Sequence, residues 1–197
     1  MSGKNSRRRN ITMEIEIQGP LQKSKKLKPP VAKPLFQILV FFKENDQDFR
    51  LKWDGGKSYF YFVYKRKPGV ERRVREEVTV KIAKRELKSF LLILKSLGFK
   101  KGFVSPVERI DVIDNKGIIW SFKLGSVIGD YWEAEASEKL IQTLKDEKQV
   151  IAFLLKSARS QGLSVWSDLE FKKIKELKWA GIKPQSLAGI YKILKAC

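Results

Sequence analysis

The sequence predicts an α+β fold: about eight strands, largely antiparallel, interrupted by one helix and followed by helices, with a closed barrel among the arrangements those strands allow. Three observations predict it. Short alternating or apolar segments, separated by turn-forming breaks, fill most of residues 12–136. One stretch among them, residues 84–97, repeats its apolar side chains at helical spacing instead. Beyond residue 137 the pattern is mainly helical. At 197 residues a single domain is the default, and such a chain buries about 70% of its unfolded surface without disulfide help. The expected organisation is a disordered basic tail over residues 1–10 and one domain over 11–197, of which 137–197 is mainly helical.

Taken in order, residues 12–17 alternate, with Glu14 and Glu16 on one face and Met13, Ile15 and Ile17 on the other. Gly19-Pro20 is expected to close this strand. Residues 21–34 carry Lys23, Lys25, Lys26, Lys28, Lys33 and three prolines, the mark of a mobile basic loop. Residues 35–42 form an apolar run that reads as a buried strand. A tight turn over 44–48 then leads to strands over 49–53, 57–67 and 74–82, separated by the hairpin signals Asp54-Gly55-Gly56 and Lys67-Pro68-Gly69. In the helix over 84–97, Leu87, Phe90, Leu91, Leu94 and Leu97 share a face, and Gly98 stands where a C-cap belongs. Strands over 108–114 and 117–124 follow, joined by Asn115-Lys116-Gly117, and another runs over 131–136. Residues 138–162 read as one or two helices stopped by Gly162. Ser167 with Glu170 three residues on is a helix-start signature, and a last helix spans 186–194. There is no internal repeat.

Composition removes whole classes of chemistry. With no histidine, Ser-His-Asp, Cys-His and His-zinc sites are excluded, and with a single cysteine, Cys197, so are disulfide frameworks and zinc ribbons. The apolar runs fall far short of the roughly 20 residues that cross a bilayer, so no membrane partner is expected. Arg7, Arg8 and Arg9 precede no apolar stretch of the signal-peptide kind, which points to a cytoplasmic protein. Lys and Arg number 41 against 22 Asp and Glu, a net charge of +19 that favours a polyanionic partner: nucleic acid, nucleotide or polyphosphate.

The charges sit inside the strands, in pairs two residues apart. Such residues point the same way, about 6.6 Å from one another. Glu14/Glu16, Arg50/Lys52, Lys65/Lys67, Arg75/Glu77, Arg109/Asp111 and Glu133/Glu135 are all pairs of this kind, and several of the strands are apolar on their other face. Two readings stand side by side. In one, an ordinary half-exposed sheet turns its charges to solvent. In the other, the sheet closes into a barrel with a charged lumen, where acid pairs bind a divalent metal and bases bind phosphates.

Several of these segments, in this order, resemble the motifs of the CYTH superfamily, the triphosphate tunnel enzymes. Glu14-Ile15-Glu16 resembles the ExExK opening, Arg50-Leu51-Lys52 the RxR strand, and Phe62-Val63-Tyr64-Lys65 the strand ending in a phosphate-binding lysine. Arg75-Glu76-Glu77-Val78-Thr79-Val80 is similar to the RxExE strand, Leu97-Gly98-Phe99 to the helix ending in LGF, and Arg109 falls at the next basic strand position. Gly129-Asp130-Tyr131-Trp132-Glu133-Ala134-Glu135 resembles the closing LGDFxEIE, and the likeness covers roughly residues 12–195. The resemblance implies a closed antiparallel tunnel in which cations grip a linear triphosphate and carboxylates hold Mg²⁺ or Mn²⁺. It implies phosphate ligands at Arg50, Lys52, Lys65, Arg75, Arg109 and Lys123, metal ligands at Glu14, Glu16, Glu77, Glu133 and Glu135, and catalytic roles for Glu14, Glu16, Glu133 and Glu135. Members of that family are class IV adenylyl cyclases and thiamine, inorganic and RNA 5′-triphosphatases, so the implied ligand is a small triphosphate compound or an RNA 5′ end.

The chain departs from the motifs at four positions. Lys52 stands for an Arg, Gln18 for the lysine of ExExK, Thr79 for the second acid of RxExE, and Lys123 for an aspartate. The expectations are therefore three: a metal-dependent triphosphatase or cyclase, a binder that grips a triphosphate without turning it over, or a basic nucleic-acid-binding protein. The last would use its outer surface and tails, including residues 4–9. The lysines at 172, 173, 175, 178, 183, 192 and 195 read as solvated helix faces, most of the five tryptophans as core, and Cys197 as incidental.

Overall fold

The computed structural model describes residues 11–21, 33–44, 47–66 and 73–197. The basic tail 1–10, nearly all of the proline-rich basic segment, Lys67 and the Lys67-Pro68-Gly69 break lie outside the described residues. Eight strands close on themselves: β1 (Ile11–Pro20), β2 (Leu35–Glu44), β3 (Gln47–Asp54), β4 (Tyr59–Arg66), β5 (Val74–Ala83), β6 (Lys101–Ile113), β7 (Ile118–Leu124) and β8 (Tyr131–Ala136). Around the ring the order is β2-β3-β4-β5-β1-β8-β7-β6, every pair is antiparallel, and the β2–β6 pairing closes it. One short strand, β9 (Gln185–Ser186), adds to the start of β6 outside the ring.

The alternation puts apolar residues on the outside of the wall, where helices cover them. On the β1, β7 and β8 side, Ile15, Ile17, Trp120, Trp132 and Ala134 pack with Val150, Leu154 and Ala158 of α3 (Glu147–Ser160), which α2 (Glu138–Leu144) precedes. On the β2–β4 side, Ile38, Val40, Phe42, Leu51 and Phe60 pack with Leu87, Leu91 and Leu94 of α1 (Leu87–Ser96). Ile190 and Leu194 of α5 (Leu187–Lys195) complete that cluster. The molecule thus has two cores outside the barrel, and burial is not what fills the lumen. Ser137, Asp146, Ser167 and Ser186 each cap a helix by accepting a backbone N–H, and Lys145, with φ 58°, separates α2 from α3. Gly98, at φ 97°, ends α1 as the sequence indicates. The helix that Ser167 and Glu170 open is α4 (Asp168–Ala180).

Two boundaries differ from the sequence reading. Gly19-Pro20 does not close β1: the strand pairs with β5 over its first half and runs on through Gly19 and Pro20, paired with Trp132 and Tyr131 of β8. Glycine is needed at 19 for closeness, since a Cβ there would lie 1.9 Å from the Ser164 carbonyl oxygen and 2.8 Å from the Trp132 ring. Gly19→Ala should therefore lower the unfolding free energy by about 1–3 kcal/mol or more, seen as a lower denaturant midpoint. Strand β6 begins at Lys101, seven residues before the expected start at 108. Among the described residues, no helix is long and apolar enough to cross a membrane.

Candidate functional site

The face of each strand opposite the cores looks into the barrel, and it is polar on nearly every strand. Glu14 and Glu16 of β1, Arg50, Lys52 and Asp54 of β3, Lys65 of β4, Glu77 of β5, Arg109 of β6, Lys123 of β7 and Glu133 and Glu135 of β8 line one cavity of about 380 Å³. Arg75 of β5 lines a continuation toward one end with Glu16, Gln18, Arg50, Lys123 and Glu133, where Phe171 and Trp179 of α4 also stand. The half-exposed sheet with solvated charges is overturned: all eleven residues singled out for a site face one enclosed lumen. Glu14, Glu16 and Lys123 are each no more than 8% exposed.

Inside, acids and bases are interleaved. Lys65 Nζ lies 2.5 and 2.6 Å from the two Glu14 oxygens and 3.2 Å from Glu77. Arg75 reaches Glu16 at 2.9 Å, Arg50 grips Asp48 with bonds of 2.8 and 2.6 Å, and Arg109 Nε donates to Asp111 at 2.6 Å. Lys123 Nζ donates to Glu133 Oε2. Thr79, at the position of an acid, donates its hydroxyl to Glu77. These partners decide the protonation states. Burial works against the charge on Glu16, but Arg75, Lys65 and Lys123 outweigh it and hold the carboxyl down at about 2. Burial and the Arg50 charge work against the Lys65 ammonium, and Glu14, Glu16 and Glu77 together hold it protonated, above its ordinary value.

Two groups are left over. Among the described residues Lys52 forms no ion pair; its ammonium lies 5.9 Å from the centre of the Tyr61 ring. Burial, then the like charges of Arg109 and Lys123, push its pKa down. Glu135 likewise has no ion-pair partner among the described residues, and burial, then Glu14 and Glu16, push it up to about 7. The strand register explains both. Arg109 stands directly across from Lys123 on β6 and β7, and Glu16 directly across from Glu135 on β1 and β8. Like charges placed directly opposite cost stability. The lumen thus has a cationic side, built by β3, β6 and β7, and an acidic side, built by β1 and β8.

A divalent ion such as Mg²⁺ or Mn²⁺ takes six or more oxygens, carboxylates foremost. Among the described residues, no three acidic side chains converge on a common point. Glu14 is held by Lys65, Glu16 by Arg75 and Glu133 by Lys123, so only Glu135 of the expected ligands on β1 and β8 is uncommitted. The donor set as arranged does not fit a divalent metal site.

Sequence reasoning missed Gln37 and Asp54, which also line the lumen and bond to each other, Nε2 to Oδ1, at 2.6 Å. Both had a signal. Asp54 follows Lys52 by two residues and so shares its face, although it reads first as a turn residue. Gln37 is the lone polar residue in the run 35–42, and it is 1% exposed. Tyr61, on the face of Lys65, was passed over as part of an aromatic strand.

No family model matches the sequence, and no curated protein matches it either. Solved structures do. A candidate adenylate cyclase from Bacillus halodurans superposes with a TM-score of 0.60 at 16% identity, over 80% of this chain and 94% of that one. A protein from Pyrococcus horikoshii gives 0.58 at 21% identity, over 82% and 99%. A candidate adenylate cyclase from Vibrio parahaemolyticus gives 0.57 at 12% identity, over 84% and 98%. Likeness at these identities establishes the fold alone, an eight-stranded antiparallel barrel shared with these structures.

Proposed function

We propose that the tunnel binds a triphosphate-containing compound through the cations on its β3, β6 and β7 side. The observation that carries this reading is the placement of Arg109 directly opposite Lys123, with the unpaired Lys52 close enough to feel both. Arg109 and Lys123 are each paired with one acid, Asp111 and Glu133, and Lys52 with none, so the repulsion among the three is only partly met within the fold, and a polyanion relieves the rest. Lys52 and Lys123 offer compact charges and Arg109 a planar fork suited to phosphate oxygens. Arg50, Lys65 and Arg75 continue the cationic path and, like Arg109 and Lys123, are each released to phosphate only by giving up a carboxylate. An RNA 5′-triphosphate end and a small organic or inorganic triphosphate share this chemistry, and the fold likeness to candidate adenylate cyclases supports a triphosphate over other anions. Because the donor set does not fit a divalent metal, no hydrolytic or cyclising step is assigned to Glu14, Glu16, Glu133 or Glu135. Phosphate or pyrophosphate release with Mg²⁺ and Mn²⁺ tests that role directly.

Lys52 provides the test of binding. In the free protein it makes no ion pair, and its burial and the repulsion of Arg109 and Lys123 outweigh the attraction of Asp54 and Glu77. Lys52→Met should therefore leave stability unchanged or raise it, while weakening tripolyphosphate about 10-fold or more, the scale of one charge-assisted hydrogen bond. Calorimetric titration with tripolyphosphate and monophosphate, beside a melting curve, measures both. Equal affinity for the two anions, or no effect of Lys52→Met, would sink the reading.

A second reading has its own observation. The described lumen carries six acids (Glu14, Glu16, Asp54, Glu77, Glu133, Glu135) and six bases (Arg50, Lys52, Lys65, Arg75, Arg109, Lys123). It therefore accounts for none of the net +19, which belongs to the rest of the chain. That excess favours nucleic acid on the outside of the molecule, through counterion release. RNA binding that grows with length, falls steeply with salt and resists tripolyphosphate competition would mark this mode.

A further inference from the structure

We infer that Lys123 is the tunnel's built-in cation in place of a divalent metal, so that a triphosphate is held without Mg²⁺ or Mn²⁺. The inference rests on the triphosphate reading above and adds to it how the negative charge is met. A metal-bearing tunnel needs carboxylates left without internal partners, because the ion supplies the compensating charge. Here every acid lining the cavity on β1 and β8 except Glu135 is held by a base, and Asp48 and Asp111 hold Arg50 and Arg109, with no added ion. Lys123 is central to that balance. Its side chain is 9% exposed, it donates to Glu133, and its charge bears on Glu16 from across the β1–β8 pairing. It therefore occupies, with one fixed ammonium, the position between the acidic strands and the cationic side. A divalent ion would have to share that space with the ammonium and win Glu133 from it. Two unit charges about 4 Å apart already repel strongly in a partly desolvated site, and a divalent ion doubles the effect. On the other side, Arg109 stands directly across from Lys123, and Lys52 is close enough to feel both charges, with Asp111 pairing Arg109 and Asp54 acting on Lys52. A phosphate entering there meets three cationic side chains carried by strands of one sheet, and two of those side chains exchange a carboxylate for it.

The test uses the full chain and two probes. Tripolyphosphate is titrated calorimetrically in EDTA, and Mn²⁺ alone is titrated by electron paramagnetic resonance, which reads bound against free ion. The unmodified protein should bind tripolyphosphate in EDTA and should leave millimolar Mn²⁺ free. Lys123→Arg keeps the charge and should stay within a few-fold in tripolyphosphate affinity. Lys123→Met should weaken it about 10-fold or more. Lys123→Asp should begin to bind Mn²⁺. Tripolyphosphate binding that appears only when Mn²⁺ is present, or tight Mn²⁺ binding by the unmodified chain, overturns the inference and leaves the triphosphate reading standing. No binding of tripolyphosphate with or without Mn²⁺ overturns both. The measurements on the unmodified protein decide the matter even where a variant fails to fold.

Discussion

Replacing Lys65 by Met should lower the unfolding free energy by about 3–5 kcal/mol, more than any change to an exposed ion pair in the molecule. Lys65 is 8% exposed and touches both oxygens of Glu14 and one of Glu77, so its loss leaves one buried carboxylate without a partner and a second one weakened. The same arithmetic predicts rescue. In Lys65→Met/Glu14→Gln no uncompensated charge remains at that point, and most of the loss should return, a coupling of about 2–3 kcal/mol in the double-mutant cycle. By contrast, the Lys172–Glu176 pair on α4, 3.8 Å apart with both side chains more than half exposed, should contribute less than about 1 kcal/mol. Chemical denaturation of the four proteins at pH 7 gives the cycle. A cost below about 1 kcal/mol for Lys65→Met would mean that water screens the lumen as it does the surface.

The strands and their two faces were legible because alternation is local. Glu14 and Glu16 against Ile15 and Ile17, or Glu133 and Glu135 against Trp132 and Ala134, need only the sequence beside them. What alternation leaves open is which face is inside. Closure rests on β2 pairing with β6, for example Val40 with Val104, and nothing near either residue signals a partner so far away in the chain. Only the order of the short motifs, read as a family likeness, pointed to a tunnel. The first part of β6 was missed because Pro106 speaks against a strand. It is tolerated because residues 103–107 pair with β2 alone, so this stretch of β6 has one side without a ladder partner. Strand β1 was cut short for a related reason: Gly19-Pro20 is a turn signal by composition, while the chain needs Gly19 for the Ser164 backbone that crosses it. The position of α4 was not legible at all. Phe171 and Trp179 look like the apolar stripe of any surface helix, and it takes the fold to set them at one end of the lumen. Lys123 was legible as a cation set among the acids of the site; that it pairs with Glu133 rather than Glu135 is decided by the fold.

Glu135 should give the protein a stability that falls as the pH rises toward neutrality. Its carboxyl sits at about 7 in the fold, raised by burial and then by Glu14 and Glu16, against an ordinary value of 4.5. Between those two values the folded chain holds a proton that the unfolded chain has released, so the folded form is favoured by acid across this interval. The contribution is fully present below about 4.5, fades through the interval and is gone above about 7; its size is about 2–3 kcal/mol, allowing for the group's partial exposure. Glu135→Gln keeps the neutral form at every pH, so its stability relative to the unmodified protein should rise through the same interval and level off above it. Ligand binding carries the same signature with the same sign. Above pH 7 the ionised Glu135 adds a negative charge to the lumen, so the advantage of Glu135→Gln in tripolyphosphate affinity should grow as the pH rises through that value. Comparing the two proteins at each pH cancels the ionisation of the triphosphate itself, which runs in the opposite direction. Denaturant midpoints and calorimetric titrations from pH 5 to 8 (a range set by the interval) measure both trends. Parallel profiles for the two proteins would show that Glu135 ionises in the fold as an ordinary surface carboxylate does, and that the acidic side of the lumen is open to water.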